Sequence, residues 1–317
     1  MIQLSPVDKM QIAKLPNRGL IGLYGADVHN FLQNLISNDV SLVSANRAIY
    51  ALLLTPQGKL LHDFFVLEPP DSSSDAKLLL ECSNSQTSDL IRKLTEYRLR
   101  AEVRIEDLTE SYDVWAVFGP NASEKMSIPS GIGAATVHHA KVFFSDPRLK
   151  ELGVRVISPI GETINIDAPE SPYKDYELNR IIRGVPDGDL DFNSGRTFPL
   201  EAGLEELNAI DYGKGCYVGQ ELTARTHYRG TLRKRLFTVT VQGQLPERGS
   251  KVFLGKKEAG EVKSGQDGYA LAMLKLEQVF ESEKDGTTFT AQNAKLIPLH
   301  QSWMNLKIDH DSDSQGS

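Results

Sequence analysis

The stretch Gly213–Arg225 reads GKGCYVGQELTAR and carries more chemical information than any other part of the chain. It places Cys216, one of 2 cysteines, between glycines, with Lys214 before it and Glu221 after it. This composition fits four kinds of structure: a phosphate-binding loop, a nucleophile site, a metal ligand, or a tight turn around a buried cysteine. Residue spacing and the number of cysteines narrow this choice.

Nucleotide-binding loops do not fit the spacing. A P-loop needs Ser or Thr directly after Gly-Lys, because a hydroxyl must hold magnesium, and Gly215 stands there instead. A dinucleotide loop needs GxGxxG directly after a buried strand. Here the spacing from Gly213 to Gly219 is GxGxxxG, and the preceding segment is LEELNAIDY. We therefore set both nucleotide hypotheses aside.

Two interpretations of Cys216 stay open on physical grounds. A nearby cation or a helix N-terminus stabilises a thiolate, and Lys214, Arg225 and a helix predicted after Val218 supply both. Free cysteine is also among the most buried residue types and often serves as a small hydrophobic side chain. The only other cysteine, Cys82, lies in the apolar segment KLLLECS. Two cysteines without a CxxC motif or suitably spaced histidines cannot form a self-contained zinc or iron–sulfur site.

The composition is that of an ordinary globular protein. The chain has 317 residues, 40% of them hydrophobic and 24% charged, which is enough for two or three domains. Its net charge of -7 argues against general nucleic-acid binding. No apolar run reaches the length of a membrane span. Few cysteines and an N-terminus without a signal core predict a bacterial-type cytoplasmic protein, with the mitochondrial matrix as the alternative.

Strands and helices alternate in the first part of the chain. AIYALLLTPQGKLLHDFFVLE predicts two strands around a turn at Thr55–Lys59, and TSDLIRKLTEYRLR predicts a helix. An earlier amphipathic helix is predicted from apolar residues at helical spacing: Val28, Phe31, Leu32, Leu35 and Ile36. The order of these elements indicates an α+β fold and not a doubly wound nucleotide fold. After Lys234, short strands separated by glycine turns indicate a small β-barrel or sandwich.

Charged residues in apolar surroundings are further candidates. His62 and Asp63 lie in the apolar strand LLHDFF, where neighbouring side chains face opposite sides. An inward Asp63 needs a partner and is a site candidate, whereas His62 fits a surface or a satisfied core histidine. Glu201, in FPLEAGL, suits pairing with an amino-pyrimidine edge or forms a structural salt bridge, for example with Arg196.

A basic stretch follows the cysteine motif. ARTHYRGTLRKR contains Arg225, Arg229, Arg233, Lys234 and Arg235. It is either a positive stripe facing an anionic ligand, an acidic partner or a nucleic acid, or a solvated linker into the β-domain.

Several segments together resemble the folate-binding YgfZ family. This family includes mitochondrial iron–sulfur assembly proteins and is related to the T-protein, the aminomethyltransferase of the glycine cleavage system. The run KGCYVGQELTAR is the most specific part of the resemblance, which covers most of the chain. The other matching segments are FLQNLISNDV, TPQGKLLHDFFV, DPRLKELGVRV, RIIRGVPDGDLDF and PLEAGLEELNAIDYG.

The resemblance implies an α+β fold of the T-protein/YgfZ type. Two interleaved α+β units would surround a central cavity that holds tetrahydrofolate, and a C-terminal β-barrel would follow. The implied role is maturation of [4Fe–4S] proteins together with A-type carrier proteins. The family's Asn-Asp turn falls on Asn38–Asp39 and its pterin-contacting glutamate on Glu201. The motif residues fall on Lys214, Cys216, Gln220, Glu221 and Arg225.

The departures from the transferases define our hypothesis. Those enzymes carry two adjacent aspartates where this chain has His62–Asp63, and they lack the cysteine motif. We therefore expect a tetrahydrofolate-binding accessory factor for assembly or repair of iron–sulfur proteins. Cys216 would be a functional thiol, or one ligand of a transient cluster shared with a partner. Lys214 and Arg225 would hold the thiolate or contact folate, while Glu201 and Asp63 would orient the pterin.

Two alternatives remain open. One is a folate-dependent aminomethyl or one-carbon transferase with Asp63 as the base. The other is a tRNA-modification partner that uses the stripe Arg225–Arg235. In each case we expect a folate-binding region at residues 1–232, a β-barrel at 233–300 and a disordered acidic tail at 301–317.

Overall fold

A computed structural model describes residues 8–70, 75–229 and 232–306. Within this part the helices are α1 (Val28–Gln33), α2 (Thr87–Arg98), α3 (Ala122–Lys125), α4 (Tyr173–Ile182), α5 (Gly188–Asp191), α6 (Gln220–Arg229) and α7 (Leu276–Asp285). The first ten strands are β1 (Gln11–Lys14), β2 (Arg18–Tyr24), β3 (Ile49–Leu54), β4 (Leu60–Leu67), β5 (Ala76–Ser83), β6 (Arg104–Asp107), β7 (Tyr112–Phe118), β8 (Ala135–His138), β9 (Lys141–Ser145) and β10 (Val154–Pro159). The remaining strands are β11 (Lys234–Gln242), β12 (Lys251–Leu254), β13 (Lys257–Gln266), β14 (Tyr269–Lys275), β15 (Phe289–Ala291) and β16 (Ala294–Leu299).

The first ten strands form two interleaved antiparallel sheets. Sheet I has the order β3-β4-β5-β2-β6, and sheet II has the order β1-β7-β10-β9-β8. Strand β1 precedes all of sheet I in the chain, yet it pairs with β7 at the edge of sheet II, with Gln11 opposite Phe118. The chain therefore starts in sheet II, builds sheet I and then returns. This confirms the predicted α+β fold with two interleaved units.

Sheet I is covered on both faces. On one face Leu78 and Leu80 pack with Leu90 and Leu94 of α2. The other face meets sheet II, where the rings of Phe65 and Phe144 have centroids 5.7 Å apart. Because both faces are buried, β3, β4 and β5 are mostly apolar on both faces, and the few charged residues among them, such as Asp63 and Glu81, are buried with partners.

The predicted hairpin and C-terminal barrel are confirmed. Strands β3 and β4 pair antiparallel, and the turn is closed by hydrogen bonds between Thr55 and Lys59, 2.8 Å, and between Gly58 and Thr55, 2.8 Å. The last six strands close a barrel in the order β11-β14-β13-β12-β15-β16.

The barrel is fixed to α4. The Thr238 hydroxyl donates to the Ile181 carbonyl at 2.9 Å, and the indole of Trp303 donates to the Arg183 carbonyl at 2.8 Å. The side-chain amide of Gln301 donates to the Ile182 carbonyl at 2.9 Å. Gln301 and Trp303, which we placed in the predicted acidic tail, are therefore held against the C-terminal end of α4, while Met304 and Leu306 pack on the barrel core. Residues 307–317 lie outside the described part.

Two glycines join the cysteine motif to the hairpin turn. Gly219 has φ +85°, and a side-chain Cβ there would lie 2.5 Å from the Thr55 carbonyl oxygen. Gly58 has φ +68°, and its Cβ would lie 3.0 Å from the Gly219 carbonyl oxygen. Only residues without a Cβ permit both the backbone conformation and this approach.

We expect the substitution Gly219→Ala to lower the free energy of unfolding by about 1–3 kcal/mol, because it adds backbone strain and a clash with Thr55. Gly215→Ala is the matched control, since a Cβ on Gly215 meets nothing within 4 Å. It should change stability by less than about 0.5 kcal/mol. Urea unfolding of both variants tests this, and equal midpoints would contradict the packing role of Gly219.

Candidate functional site

The loop that carries Cys216 is anchored at its start. The Asp211 amide donates to the Ser37 carbonyl at 3.0 Å. The Asp211 carboxylate accepts from the amides of Gly213, 2.6 Å, and Lys214, 3.2 Å. This is the local turn that Asp commonly forms with backbone amides after it. The loop is therefore fixed to the residues that follow α1.

Lys214 closes the C-terminal end of α1. Its Nζ atom donates to the carbonyls of Gln33, 2.8 Å, Ile36, 2.7 Å, and Asn38, 2.8 Å. A cation satisfies carbonyls that a helix end leaves without partners. Burial lowers the pKa of Lys214 from 10.5 to about 8, although Asp39 and Asp211 oppose the shift. An ammonium group has three hydrogens, and these three bonds use all of them.

Cys216 is a free, exposed thiol. The loop between Lys214 and Gly219 holds it at the surface, and the space around Gly215 is open. The interpretation as a buried small hydrophobic residue is therefore wrong for Cys216. It is right for Cys82, where burial raises the pKa of the thiol to about 12.

Helix α6 begins directly after the loop, as predicted, and presents the remaining motif residues. Glu221 and Arg225 are exposed and form an i, i+4 ion pair at 2.9 Å. Gln220 is half-buried, and its backbone N–H donates to the Tyr217 carbonyl at 3.3 Å. These side chains lie on the outer face of α6, beside the thiol loop.

An aromatic contact holds α6 against the preceding segment. The rings of His227 and Tyr212 stack with centroids 4.0 Å apart. Glu205 joins both, since it lies 2.7 Å from Nδ1 of His227 and accepts from the Tyr212 hydroxyl at 3.1 Å. No sequence pattern predicted that Tyr212, His227 and Glu205 come together. The only signal was that His227 lies near the cysteine motif in the sequence.

The predicted Asn-Asp turn lies under the thiol loop. The Asn38 side-chain amide donates to the carbonyls of Tyr50, 2.8 Å, and Asn208, 2.9 Å. Burial opposes ionisation of Asp39, but hydrogen bonds from Ser41 and Gln33 and the nearby Lys214 charge outweigh it and lower the pKa of Asp39. The turn therefore bridges β3, the thiol loop and α1.

Both members of the His62–Asp63 pair are buried, because both faces of sheet I are covered. His62 faces α2, where its ring nitrogens lie 3.1 Å from Gln86 and 2.9 Å from Asp89. Asp63 faces sheet II and accepts from the Tyr50 hydroxyl at 2.8 Å. Burial raises the pKa of Asp63, although Arg18 opposes this shift.

Asp63 adjoins a buried cluster of charges between the two sheets. Glu81 contacts Arg18 on its own sheet and Arg155 on sheet II, the latter at 3.1 Å. Asp146 pairs with Arg148 at 2.7 Å and also faces Arg155. No sequence pattern that we used predicted this cluster. The available signal was a charged residue inside each of three apolar strands, such as Glu81 in KLLLECS.

Glu201 lies apart from the thiol loop. It is half-buried on a single helical turn, Leu200–Ala202, and burial raises the pKa of its carboxyl, although Lys234 opposes this. The basic stretch is also divided. The guanidinium of Arg235 is buried, donating to the Leu200 carbonyl at 2.7 Å and to Glu206 at 2.6 Å. The structure therefore removes Arg235 from the predicted positive stripe.

Two neighbouring cavities lie beside the Asn-Asp turn. One of about 200 Å³ is lined by Asn38, Tyr50 and Tyr212, among others. A second of about 410 Å³ is lined by Arg148, and the two cavities share Ile132, Pro147 and Asn208. Of the predicted site residues, Asn38 lines the smaller cavity, and Asp63 is one hydrogen bond away through Tyr50. Glu201 lines neither.

Within the described ranges, no group of three or more His, Cys, Asp or Glu side chains could hold a metal ion. No helix in the same ranges is long and apolar enough to span a membrane.

Family models match two parts of the chain. The GCVT N-terminal domain matches residues 9–144, and the CAF17 C-terminal beta-barrel domain matches residues 233–306. The structure is similar to that of glycine cleavage system aminomethyltransferase T from Bartonella henselae, with a TM-score of 0.73 at 14% identity, covering 95% of this chain and 88% of that one. This likeness confirms the T-protein-type fold.

Curated relatives from mouse, human and a fungus are described as the mitochondrial iron–sulfur cluster assembly factor IBA57 or its homolog. The mouse protein is 33% and the human protein 34% identical, each over 84% of this chain and 78% of its own length. A Mycosarcoma maydis homolog is 33% identical over 71% of this chain, which spans 56% of that longer protein. The predicted YgfZ resemblance is thereby confirmed at the coarser level of T-protein-related proteins. The chain belongs to the IBA57 family of iron–sulfur cluster assembly factors.

Proposed function

We propose that the protein is an accessory factor in assembly or repair of [4Fe–4S] proteins, and that Cys216 binds iron of a cluster carried by a partner. The observation that carries this proposal is the exposed Cys216 thiol on a loop fixed by Asp211, Lys214 and Gly219. In a family of assembly factors, a rigidly presented thiol suits ligand exchange with a cluster. The thiolate replaces one ligand of iron without any change of oxidation state.

One thiol supplies one ligand, so the partner must supply the others. The partner class is the A-type carrier proteins, which the YgfZ resemblance implies. The face around Cys216 suits such docking. It combines the ion-paired Glu221 and Arg225 with Tyr228, which is 77% exposed, and aromatic side chains often anchor protein interfaces. The relatives are named as mitochondrial, which favours the matrix over a bacterial cytosol.

The folate ligand also belongs to the proposal, on the strength of the YgfZ resemblance. Tetrahydrofolate joins a flat, hydrogen-bonding pterin to anionic carboxylates. The cavity beside Asn38 offers tyrosine rings, the side-chain amide oxygen of Asn38 and the cation Arg47 to such a ligand. Its volume of about 200 Å³ and the adjoining 410 Å³ match the size of small-molecule sites. Asn38 and Arg47 would hold the ligand, and Tyr50 would connect it to Asp63.

The transferase alternative stays a prediction. A catalytic base must reach its substrate, but Asp63 is buried and already accepts from Tyr50. Its carboxylate also packs so closely on Gly188 that a Cβ there would lie 1.7 Å from it. Turnover of an aminomethyl donor, lost in Asp63→Asn, would restore this alternative.

We expect Cys216→Ser to abolish formation of the shared cluster. The wild-type protein, an A-type carrier, iron and sulfide would be mixed without oxygen, and the visible absorbance of the complex measured. Cys82→Ala is the matched control. The Cys82 thiol is buried, so this variant should retain the absorbance. An absorbance that survives Cys216→Ser, or that is lost equally in Cys82→Ala, would remove the ligand role.

We expect saturable tetrahydrofolate binding in calorimetry under reducing conditions. Arg47→Ala should weaken it by about tenfold, the size of a charge-assisted hydrogen bond. Glu201→Gln tests the pterin contact that the resemblance implies, and Glu247→Gln, an exposed carboxylate on the barrel, is the control. If Glu201→Gln weakened tetrahydrofolate binding while Arg47→Ala bound it like wild type, the ligand would not bind in the Asn38 cavity.

Lys214 acts in this proposal as a positioning residue. At pH 7 we expect Lys214→Met to be less stable by about 1–3 kcal/mol, because three carbonyls lose their donor. The folded-state pKa of Lys214, about 8, lies below the ordinary 10.5. The native protein therefore releases this proton before the unfolded chain does, and wild type gains stability relative to Lys214→Met as pH rises through this window.

Urea unfolding at pH 7 and at a pH near 9.5 measures the difference in free energy of unfolding between wild type and the variant, which we call the gap. Lys256→Met, an exposed lysine on the barrel, should show no gap at either pH. A gap that narrows as pH rises would contradict the lowered pKa of Lys214. A cluster signal that falls in Lys214→Met, with Cys216 intact, would show that the loop must be held in place.

A further inference from the structure

A basic cavity lies at the far end of sheet I. It has a volume of about 750 Å³ and is formed by the end of β2, the start of β5 and the loop between α2 and β6. Its cations are Lys77, Arg98, Arg100 and Arg104, against the acids Asp75 and Glu102. Four positive and two negative charges give a local excess of +2 in a protein whose net charge is -7.

Most of this positive charge is not neutralised. Arg104 pairs with Glu106 and lies over the Tyr24 ring, 3.9 Å from its centroid. The Arg98 guanidinium instead donates to the Val103 carbonyl at 3.3 Å. Neither Lys77 nor Arg100 forms an ion pair with a residue in the described part of the chain. Among the described residues, the charged groups of Lys77, Arg98 and Arg100 therefore line the cavity without an ion-pair partner.

The loop around these cations is rigidly built. The Asp27 carboxylate accepts from the Glu102 amide at 2.9 Å. A Cβ on Gly25 would lie 2.0 Å from the Glu102 carbonyl oxygen, so the two backbones are in direct contact. Turn hydrogen bonds of 2.8 Å join Ala101 to Arg98 and Val103 to Ala101. The backbone that carries Arg98 and Arg100 is thus held in place.

The same loop exposes an apolar side chain at an energetic cost. Leu99 is 89% exposed and has φ +46°, where glycine is normally preferred at the end of a helix. Holding a leucine in such a conformation costs on the order of 1–3 kcal/mol. Neither its packing nor its backbone accounts for a leucine at this position.

We propose that this basic cavity, with Leu99 at its rim, docks an acidic segment of a partner protein. Carboxylates of the segment would pair with Lys77, Arg98 and Arg100, and one of its apolar side chains would cover Leu99. Charge complementarity selects this occupant, because an acidic protein here presents a local excess of positive charge beside an exposed apolar side chain.

Two other anionic partners fit less well. A lipid surface is uniformly negative and would be repelled by Asp75 and Glu102, which lie in the lining of this site. A single-stranded nucleic acid needs aromatic faces for stacking. The Tyr24 ring in this cavity is already covered by Arg104.

The site is separate from the thiol loop. Tyr24 pairs with Ala76 and Arg104, whereas Arg18, at the other end of β2, pairs with Ser83. The turn that contacts Gly219 precedes β4, and Phe64 on β4 pairs with Cys82, so this turn lies at the Ser83 end. The basic cavity therefore occupies the opposite end of sheet I from the proposed cluster site.

A fluorescein-labelled peptide of Asp-Glu-Leu-Glu repeats tests the proposal by fluorescence anisotropy with the full chain. We expect saturable binding that weakens as salt rises, and that weakens by at least about tenfold in Arg100→Glu and Lys77→Glu. Lys256→Glu, an equal charge change on the barrel, should bind like wild type. A peptide with lysine in place of its acids should not bind.

Leu99→Gly separates docking from folding. Glycine accepts the backbone conformation, so the unfolding midpoint should stay the same or rise, while peptide affinity falls. Unchanged affinity in both Arg100→Glu and Leu99→Gly would overturn the proposal. Binding to phosphatidylserine vesicles or to poly(dT), but not to the peptide, would overturn it in favour of a lipid or a nucleic acid. Cys216→Ser should leave peptide binding intact.

Discussion

The buried ammonium group of Lys214 caps the C-terminal end of α1, although Lys214 lies far from that helix in the sequence. Lys214 brings a charge to the three carbonyls around the turn after α1, and its hydrogen-bond lengths are 2.7 to 2.8 Å. Burying a cation is costly unless its hydrogens find acceptors, and a helix C-terminus supplies them together with a favourable dipole. Together with the Asp211 turn and Gly219, this contact sets the path of the thiol loop and leaves Cys216 exposed.

A second constraint lies between the sheets. Glu81 bridges Arg18 and Arg155, so one carboxylate links sheet I to sheet II. Buried ion pairs add little net stability, but losing one partner leaves a charge uncompensated in the interior. The cluster therefore fixes how the sheets face each other. Arg148 belongs both to this cluster and to the lining of the 410 Å³ cavity, which couples the cavity shape to the sheet arrangement.

Local patterns predicted much of this fold. The hairpin around Gly58, helix α2 and the C-terminal barrel each follow from periodicity and turn residues within a short window. The role of Lys214 could not be found in this way, because its acceptors lie 176 to 181 residues earlier. The sequence left His62 open as a surface or a core histidine for a related reason. Alternation within a strand shows that neighbours face opposite sides, but not that both sides are covered.

The proposed cluster site and the basic cavity divide sheet I between its two ends. Strand β2 has 7 residues, so the two ends are separated by about 20 Å. A short peptide segment seated against Leu99 therefore leaves Cys216 accessible. Because the sheet is packed on both faces, neither end can bend towards the other. On the two proposals together, a carrier at the thiol and an acidic segment at the cavity would bind at the same time, with sheet I setting the distance between them.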